Sequence, residues 1–298
     1  MPSSFAWVAF TLTAAAAQTV RNALQRNLTR PLGASGATQV RFLFGLPFAI
    51  VFLIVVRRAT GLPPPSVDLK TFLLALEGAA TQIIATALML AAMRDRSFVV
   101  TIAYTKTEPI QVAVYGLAFL GDRLSAASVV AIVAATAGVM IMSWPRGAAG
   151  EKASWRAIAL GLVSGGFFAL SSIGFRAAIL AAPTPSFVMA ATSILVFGLF
   201  MQSLASILWL ALMDRPTLIA IGRAWKPSLA AGAMGALASQ FWFLAFALAT
   251  AAQVRTLGVV EVVFAQFVSR RFMNEGVSRR ELAGMALIVV GIVLVVNG

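Results

Sequence analysis

Neither cysteine nor histidine occurs in these 298 residues. Their absence removes thiol chemistry, disulfides, metal or haem ligation through either residue, and a histidine proton relay. Any protonation switch must therefore use carboxylates. Charge is scarce as well: Asp, Glu, Lys and Arg make up 11% of the chain, and only ten of those residues are acidic. Tyrosine occurs twice. No GxxxxGK[ST] phosphate loop is present, so the chain has no ATP site of that type. Without His, Cys or a pair of Asp within one helical turn, intramembrane hydrolysis lacks its usual groups, and an enzyme is not expected. The sequence calls for no cofactor and no metal.

What is abundant is apolar surface. The hydrophobic fraction is 60% and the mean hydropathy +0.92, far outside the range of soluble domains. A span needs about 20 mostly apolar residues. Charged and Pro/Gly-rich breaks divide the chain into ten such segments, predicted at 5–27, 35–56, 71–93, 97–120, 124–144, 155–182, 186–213, 228–250, 252–272 and 278–296. All are expected as helices, because an open sheet edge cannot face lipid. The connections are short, and none is expected to fold alone. The first span begins without the basic n-region of a signal peptide, so it is read as a membrane helix.

The net charge of +13 would suggest nucleic acid in a soluble protein. Here the basic residues cluster at span ends, as topology signals and lipid contacts do, and no nucleic-acid partner is expected. Fourteen of them fall on one side of the ten-span arrangement and four on the other. That asymmetry predicts a multi-pass protein with both termini outside the cytoplasm.

The chain repeats itself. A shift of 153 carries Glu108 onto Glu261, Ala131 onto Gly284 and Gly138 onto Gly291, and it aligns Gly121-Asp122-Arg123 with Asn274-Glu275-Gly276. The expectation is an all-α polytopic membrane protein of ten helices, built as two inverted five-helix repeats over 1–146 and 153–298. Five is odd, so the second copy enters the bilayer from the opposite face.

Charges inside the spans are the candidate functional groups. In the fourth span Thr101, Tyr104, Glu108, Gln111 and Tyr115 recur at three- and four-residue steps and share a helical face. Lys106 stands about 200° round the helix from Glu108 and needs a partner elsewhere. Pro109 removes one backbone hydrogen bond beside these charges, the place for a hinge. A charge at mid-bilayer costs roughly 2.5–3.5 kcal/mol, so such a stripe faces a bundle interior or a wet cavity. The structural alternative is that Lys106 snorkels and Glu108 neutralises an arginine. Glu261 either contacts substrate or neutralises Arg255 or Arg176. Gln82 and Gln240 are candidate cavity groups or interhelical hydrogen bonders, and Trp242 is the one tryptophan in mid-helix. Gly161 and Gly165, at GxxxG spacing, read as close helix packing.

Two copies of a five-helix unit, each fourth helix ending in an acidic turn (Gly121-Asp122, Asn274-Glu275), resemble the tandem EamA domains of the drug/metabolite transporter superfamily. Tyr104-Thr105-Lys106-Thr107-Glu108-Pro109 and the 258–271 segment look most like its amino-acid exporters, including YddG-like aromatic amino-acid exporters. The resemblance implies a carrier in a bacterial inner membrane, monomeric, that exports amino acids or related small metabolites by alternating access. Its partners would be a small-molecule substrate, the lipid bilayer and protons as a candidate coupling ion. The alternative within the superfamily is a proton-coupled exporter of lipophilic cations. Val262 stands at the duplicate of Pro109, which puts a symmetric pair of proline hinges in doubt.

Overall fold

The computed structural model describes residues 5–95, 105, 107–143, 155–264 and 279–297. Among them every regular element is a helix: α1 Ala6–Leu43, α2 Leu46–Thr60, α3 Leu69–Asp95, α4 Glu108–Tyr115, α5 Ala126–Ser143, α6 Trp155–Ala181, α7 Phe187–Met213, α8 Arg215–Arg223, α9 Trp225–Leu248, α10 Ala251–Gly258 and α11 Arg279–Asn297. A short π turn, Gly116–Leu120, follows α4 and stops at Gly121, whose φ of 67° is a left-handed conformation that suits glycine. Six helical stretches among the described residues are long and apolar enough to cross a bilayer, and Glu108–Leu120 and Ala126–Met142 are shorter apolar helices. The chain is a multi-pass membrane protein.

Two compact units emerge. The first contains residues 1–80 and 174–248, the second 81–173 and 249–298. Helices α3 and α6 each contribute one part to either unit. Each unit therefore draws on both halves of the sequence.

In the first unit, α1 is a hairpin. Pro31 and Gly33 interrupt the helix, and Gly33 adopts φ 67°, ψ 173°. The Gln25 side-chain amide donates to the Ala37 carbonyl at 2.8 Å. In a straight helix those residues would stand about 18 Å apart, so the arms must fold back on each other. Leu28, Leu32, Ala37 and Val40 close the hairpin with Leu210, Ile221 and Ala231 from α7, α8 and α9. The break between the first two predicted spans is thus real, although helix resumes at once. The second span continues past the predicted 56 to Thr60.

The connection between the spans predicted at 186–213 and 228–250 carries a short helix: α8 forms there because Asp214 caps Thr217 N–H at 3.2 Å, Pro216 pre-sets the first turn, and Ile221 is buried. Trp155, Trp209 and Trp225, expected as interfacial anchors, are all widely exposed on the protein surface. At the start of α3, Asp68 accepts the Thr71 N–H at 2.8 Å, and hydrogen bonding from Thr71 holds its carboxyl below the usual range.

In the second unit α5 and α11 run antiparallel at backbone contact. A Cβ on Gly138 would stand 2.6 Å from the Gly284 carbonyl oxygen, and one on Gly291 would stand 2.8 Å from the Ala131 carbonyl oxygen. These are the residues related by the 153 shift. Gly138 meets the duplicate of Ala131, and Ala131 meets the duplicate of Gly138, a reciprocal pattern like that of a twofold interface.

Candidate functional site

Glu108 opens α4, and both Ile110 and Gln111 N–H groups donate back to the Thr107 carbonyl, at 3.1 and 3.4 Å. Pro109 stands in this first turn, where its missing N–H costs no helical bond. The duplicated position behaves alike without a proline. Helix α10 stops at Gly258, and the Val262 N–H donates to Val259 at 3.0 Å, so Glu261 follows a local interruption. Each carboxylate thus stands beside a three-residue backbone hydrogen bond.

The partner of Glu108 is Arg255. Its Nε donates to Ser172 Oγ at 2.9 Å and lies 3.1 Å from Glu108 Oε1, an ion pair. Ser172, on α6, donates in turn to the Phe168 carbonyl at 3.0 Å, and its oxygen lies 3.5 Å from Glu108 Oε1. Three helices, α4, α6 and α10, converge in this cluster within the second unit. Fractional side-chain exposures of 18% for Arg255 and 15% for Glu108 leave both charges reachable at an edge. A charge-assisted contact of this kind is stronger than a neutral hydrogen bond, and removing one member strands the other.

The rest of the described stripe lies along α6. Gln111 Nε2 donates to Thr107 Oγ1 at 3.0 Å and to the Leu162 carbonyl at 3.3 Å. Small residues on α6 admit it: a Cβ on Gly165 would meet Gln111 Nε2 at 3.2 Å, and one on Gly166 would meet Gln111 Oε1 at 2.7 Å and the Tyr115 hydroxyl at 3.3 Å. Close helix packing at Gly165, expected from its spacing, is therefore observed. The Tyr115 ring sits 6.0 Å from that of Phe119. Thr101, Tyr104 and Lys106 lie outside the described residues.

The other sequence candidates divide between the units. Gln82 is half-buried on α3 and Glu261 is buried, both in the second unit. Gln240 and Trp242 belong to the first. Gln240 Nε2 donates to Thr192 Oγ1 at 2.8 Å, the interhelical hydrogen bond foreseen for it, while its buried Oε1 has no hydrogen-bond partner. The Trp242 indole N–H donates to Gln18 Oε1 at 3.1 Å, and its ring stacks near Phe246 at 6.5 Å. Sequence reasoning placed Arg255 inside a span but proposed it for Glu261. Ser172 was missed, and nothing in a run of Ala, Leu and Ser distinguishes it.

Residues 5–144 match the EamA-like transporter family. A solved crystal structure superposes on 98% of this chain and 94% of its own length, with a TM-score of 0.76 at 14% sequence identity, which establishes a shared fold. No curated protein matches the sequence.

Proposed function

We propose that this chain is a secondary transporter that exports amino acids, aromatic or otherwise apolar, or related small metabolites across the bacterial inner membrane by alternating access. The observation that carries the reading is the Glu108–Arg255 pair bridged by Ser172. A zwitterion is complementary to such a pair: its carboxylate takes the guanidinium, its ammonium takes the carboxylate, and the protein's own contact opens as the substrate's form. Arg255 is a second candidate cation beside Lys106, and among the described residues it is the one paired with Glu108. Tyr115 supplies an aromatic surface on the same helical face as Glu108.

The reciprocal contacts of Gly138 with Gly284 and of Gly291 with Ala131 support an inverted repeat, and so do the three-residue hydrogen bonds beside Glu108 and Glu261. Pro109 is the hinge in the first copy. The basic side of the ten-span arrangement faces the cytoplasm, with both termini outside.

Uptake of labelled tryptophan and threonine into proteoliposomes, with and without a pH gradient, tests this function. Glu108→Gln, Arg255→Gln and Lys106→Met are expected to abolish flux while the protein still inserts. Normal flux in all three variants removes these residues from the site. Dye uptake that depends on Glu108, with no amino-acid flux, would instead make the chain a proton-coupled exporter of lipophilic cations.

A further inference from the structure

We infer that Gln111 and Tyr115 of α4, set against Gly166 of α6, form a second substrate subsite that reads a hydrogen-bonding group on the side chain of the exported amino acid. Resting on the transporter reading above, this subsite narrows the substrates. Side chains that carry an N–H or O–H donor, the indole of tryptophan and the phenol of tyrosine among them, are selected over purely apolar ones.

One end of the Gln111 amide is committed within the protein. Its Nε2 donates to Thr107 Oγ1 at 3.0 Å and to the Leu162 carbonyl at 3.3 Å. A carbonyl only accepts, so the Leu162 contact fixes which end of the amide is nitrogen. The other end, Oε1, is thereby turned toward Gly166, where a Cβ would stand 2.7 Å from it and 3.3 Å from the Tyr115 hydroxyl. Both oxygens flank one point on α6. Among the described residues neither oxygen has a hydrogen-bond partner, and neither is shut away in the interior, since both side chains are half-buried.

An unpaired amide oxygen and an unpaired phenol within a span are expensive against lipid, because hydrocarbon offers them no partner. A polar ligand or water does. Gln111 stands one turn from Glu108 and Tyr115 two turns, on the same helical face. On α6, Gly166 lies six residues, about 9 Å, from the Ser172 that bridges the ion pair, and all of these residues belong to the second unit. That interval suits an aromatic amino acid, its charged head at Glu108 and Arg255 and the far edge of its side chain at Gln111 and Tyr115. Gln111 Oε1 only accepts, while the Tyr115 hydroxyl both donates and accepts. A substrate phenol therefore donates to the first and accepts from the second, and an indole N–H satisfies the first. A side chain with no donor leaves the amide oxygen bare. Gly166 makes the approach possible, since even a methyl group there would strike Gln111 Oε1.

Displacement of labelled tryptophan from the purified full-length protein in nanodiscs tests the subsite. Unlabelled tyrosine is compared with phenylalanine, and unlabelled tryptophan with its ring N-methyl derivative, whose indole nitrogen carries no hydrogen. Each analogue is expected to compete about tenfold more weakly than its parent, because it leaves Gln111 Oε1 unpaired. Phenylalanine is smaller than tyrosine and the N-methyl derivative is larger than tryptophan, so a loss in both does not come from size. Gln111→Leu and Tyr115→Phe bring the ratio of tyrosine to phenylalanine affinity toward one, whereas a purely structural role would weaken both competitors and leave the ratio as it is. Should Gln111→Leu fail to insert, Tyr115→Phe, which deletes a single oxygen, carries the same conclusion together with the wild-type comparison. The subsite is overturned if the wild type binds each analogue as well as its parent, or if the variants keep the wild-type ratio, and the amino-acid reading then still stands. Absence of any tryptophan binding, with dye flux intact, overturns that reading and the subsite together.

Discussion

The two units hold their intramembrane charges differently. In the second, Glu108 meets Arg255 and a serine from a third helix completes the contact. In the first unit the stems of Arg21 and Arg41 converge at Gly235. An internally neutral cluster is stable when empty and must be opened to be used. Net charge over the whole chain hides this contrast, because it appears only after folding sorts the residues into units.

The largest test of the contrast is to unbalance the paired unit. Arg255→Gln strands the Glu108 carboxylate and is expected to lower stability by about 3 kcal/mol, seen as a fall in the unfolding midpoint of purified protein. Joint replacement, Glu108→Leu with Arg255→Met, should recover most of that loss, since both charges leave together. Equal losses in the single and double variants would show that the pair is not the source of the effect.

A second test addresses the helix pair that carries the repeat. Gly138→Ala and Gly284→Ala each place a methyl against backbone at the same antiparallel contact. Each should cost about 1–3 kcal/mol, and the double variant should cost less than the sum, because one separation of α5 from α11 relieves both. Strict additivity would contradict the reciprocal contact.

In the first unit, Gly174→Ala would drive the Glu77 carboxylate from its place against α6. A loss of about 1–3 kcal/mol is expected from overpacking, read from the same unfolding curves. The smallest effect belongs to Thr250, whose hydroxyl accepts the Gln253 N–H at 3.2 Å while Gln253 Oε1 accepts the Thr250 N–H. Thr250→Ala removes this capping box ahead of α10 and should cost about 1 kcal/mol, with weaker amino-acid uptake if Arg255 is thereby misplaced.

Much of this was readable before folding. Hydropathy gave the helical class, and the 153 shift found the residues that meet in the α5–α11 contact, because packing at backbone distance demands small residues. Glu108 stood out because a carboxylate in an apolar run is expensive. Its partner did not, since Arg255 is 147 positions away and no local period links the two. The same limit hid the approach of Arg21 to Arg41, which depends on the reversal at Gly33. Val262 stands where a second proline hinge would need proline, and the backbone before Glu261 is interrupted there by a three-residue hydrogen bond instead. Helix α8 was overlooked because its apolar face is narrow and its ends are charged, the pattern of a surface helix between two spans.

The most direct measurement of the central claim, that a zwitterion exchanges partners with Glu108 and Arg255, is competition for tryptophan uptake in proteoliposomes by its two half-charged analogues. Tryptamine keeps the ammonium and indole-3-propionate keeps the carboxylate. Each is expected to compete at least about tenfold more weakly than unlabelled tryptophan, because it leaves one member of the opened pair without a charge to meet. Tryptamine competing as well as tryptophan would contradict the account and make Glu108 a cation site in its own right.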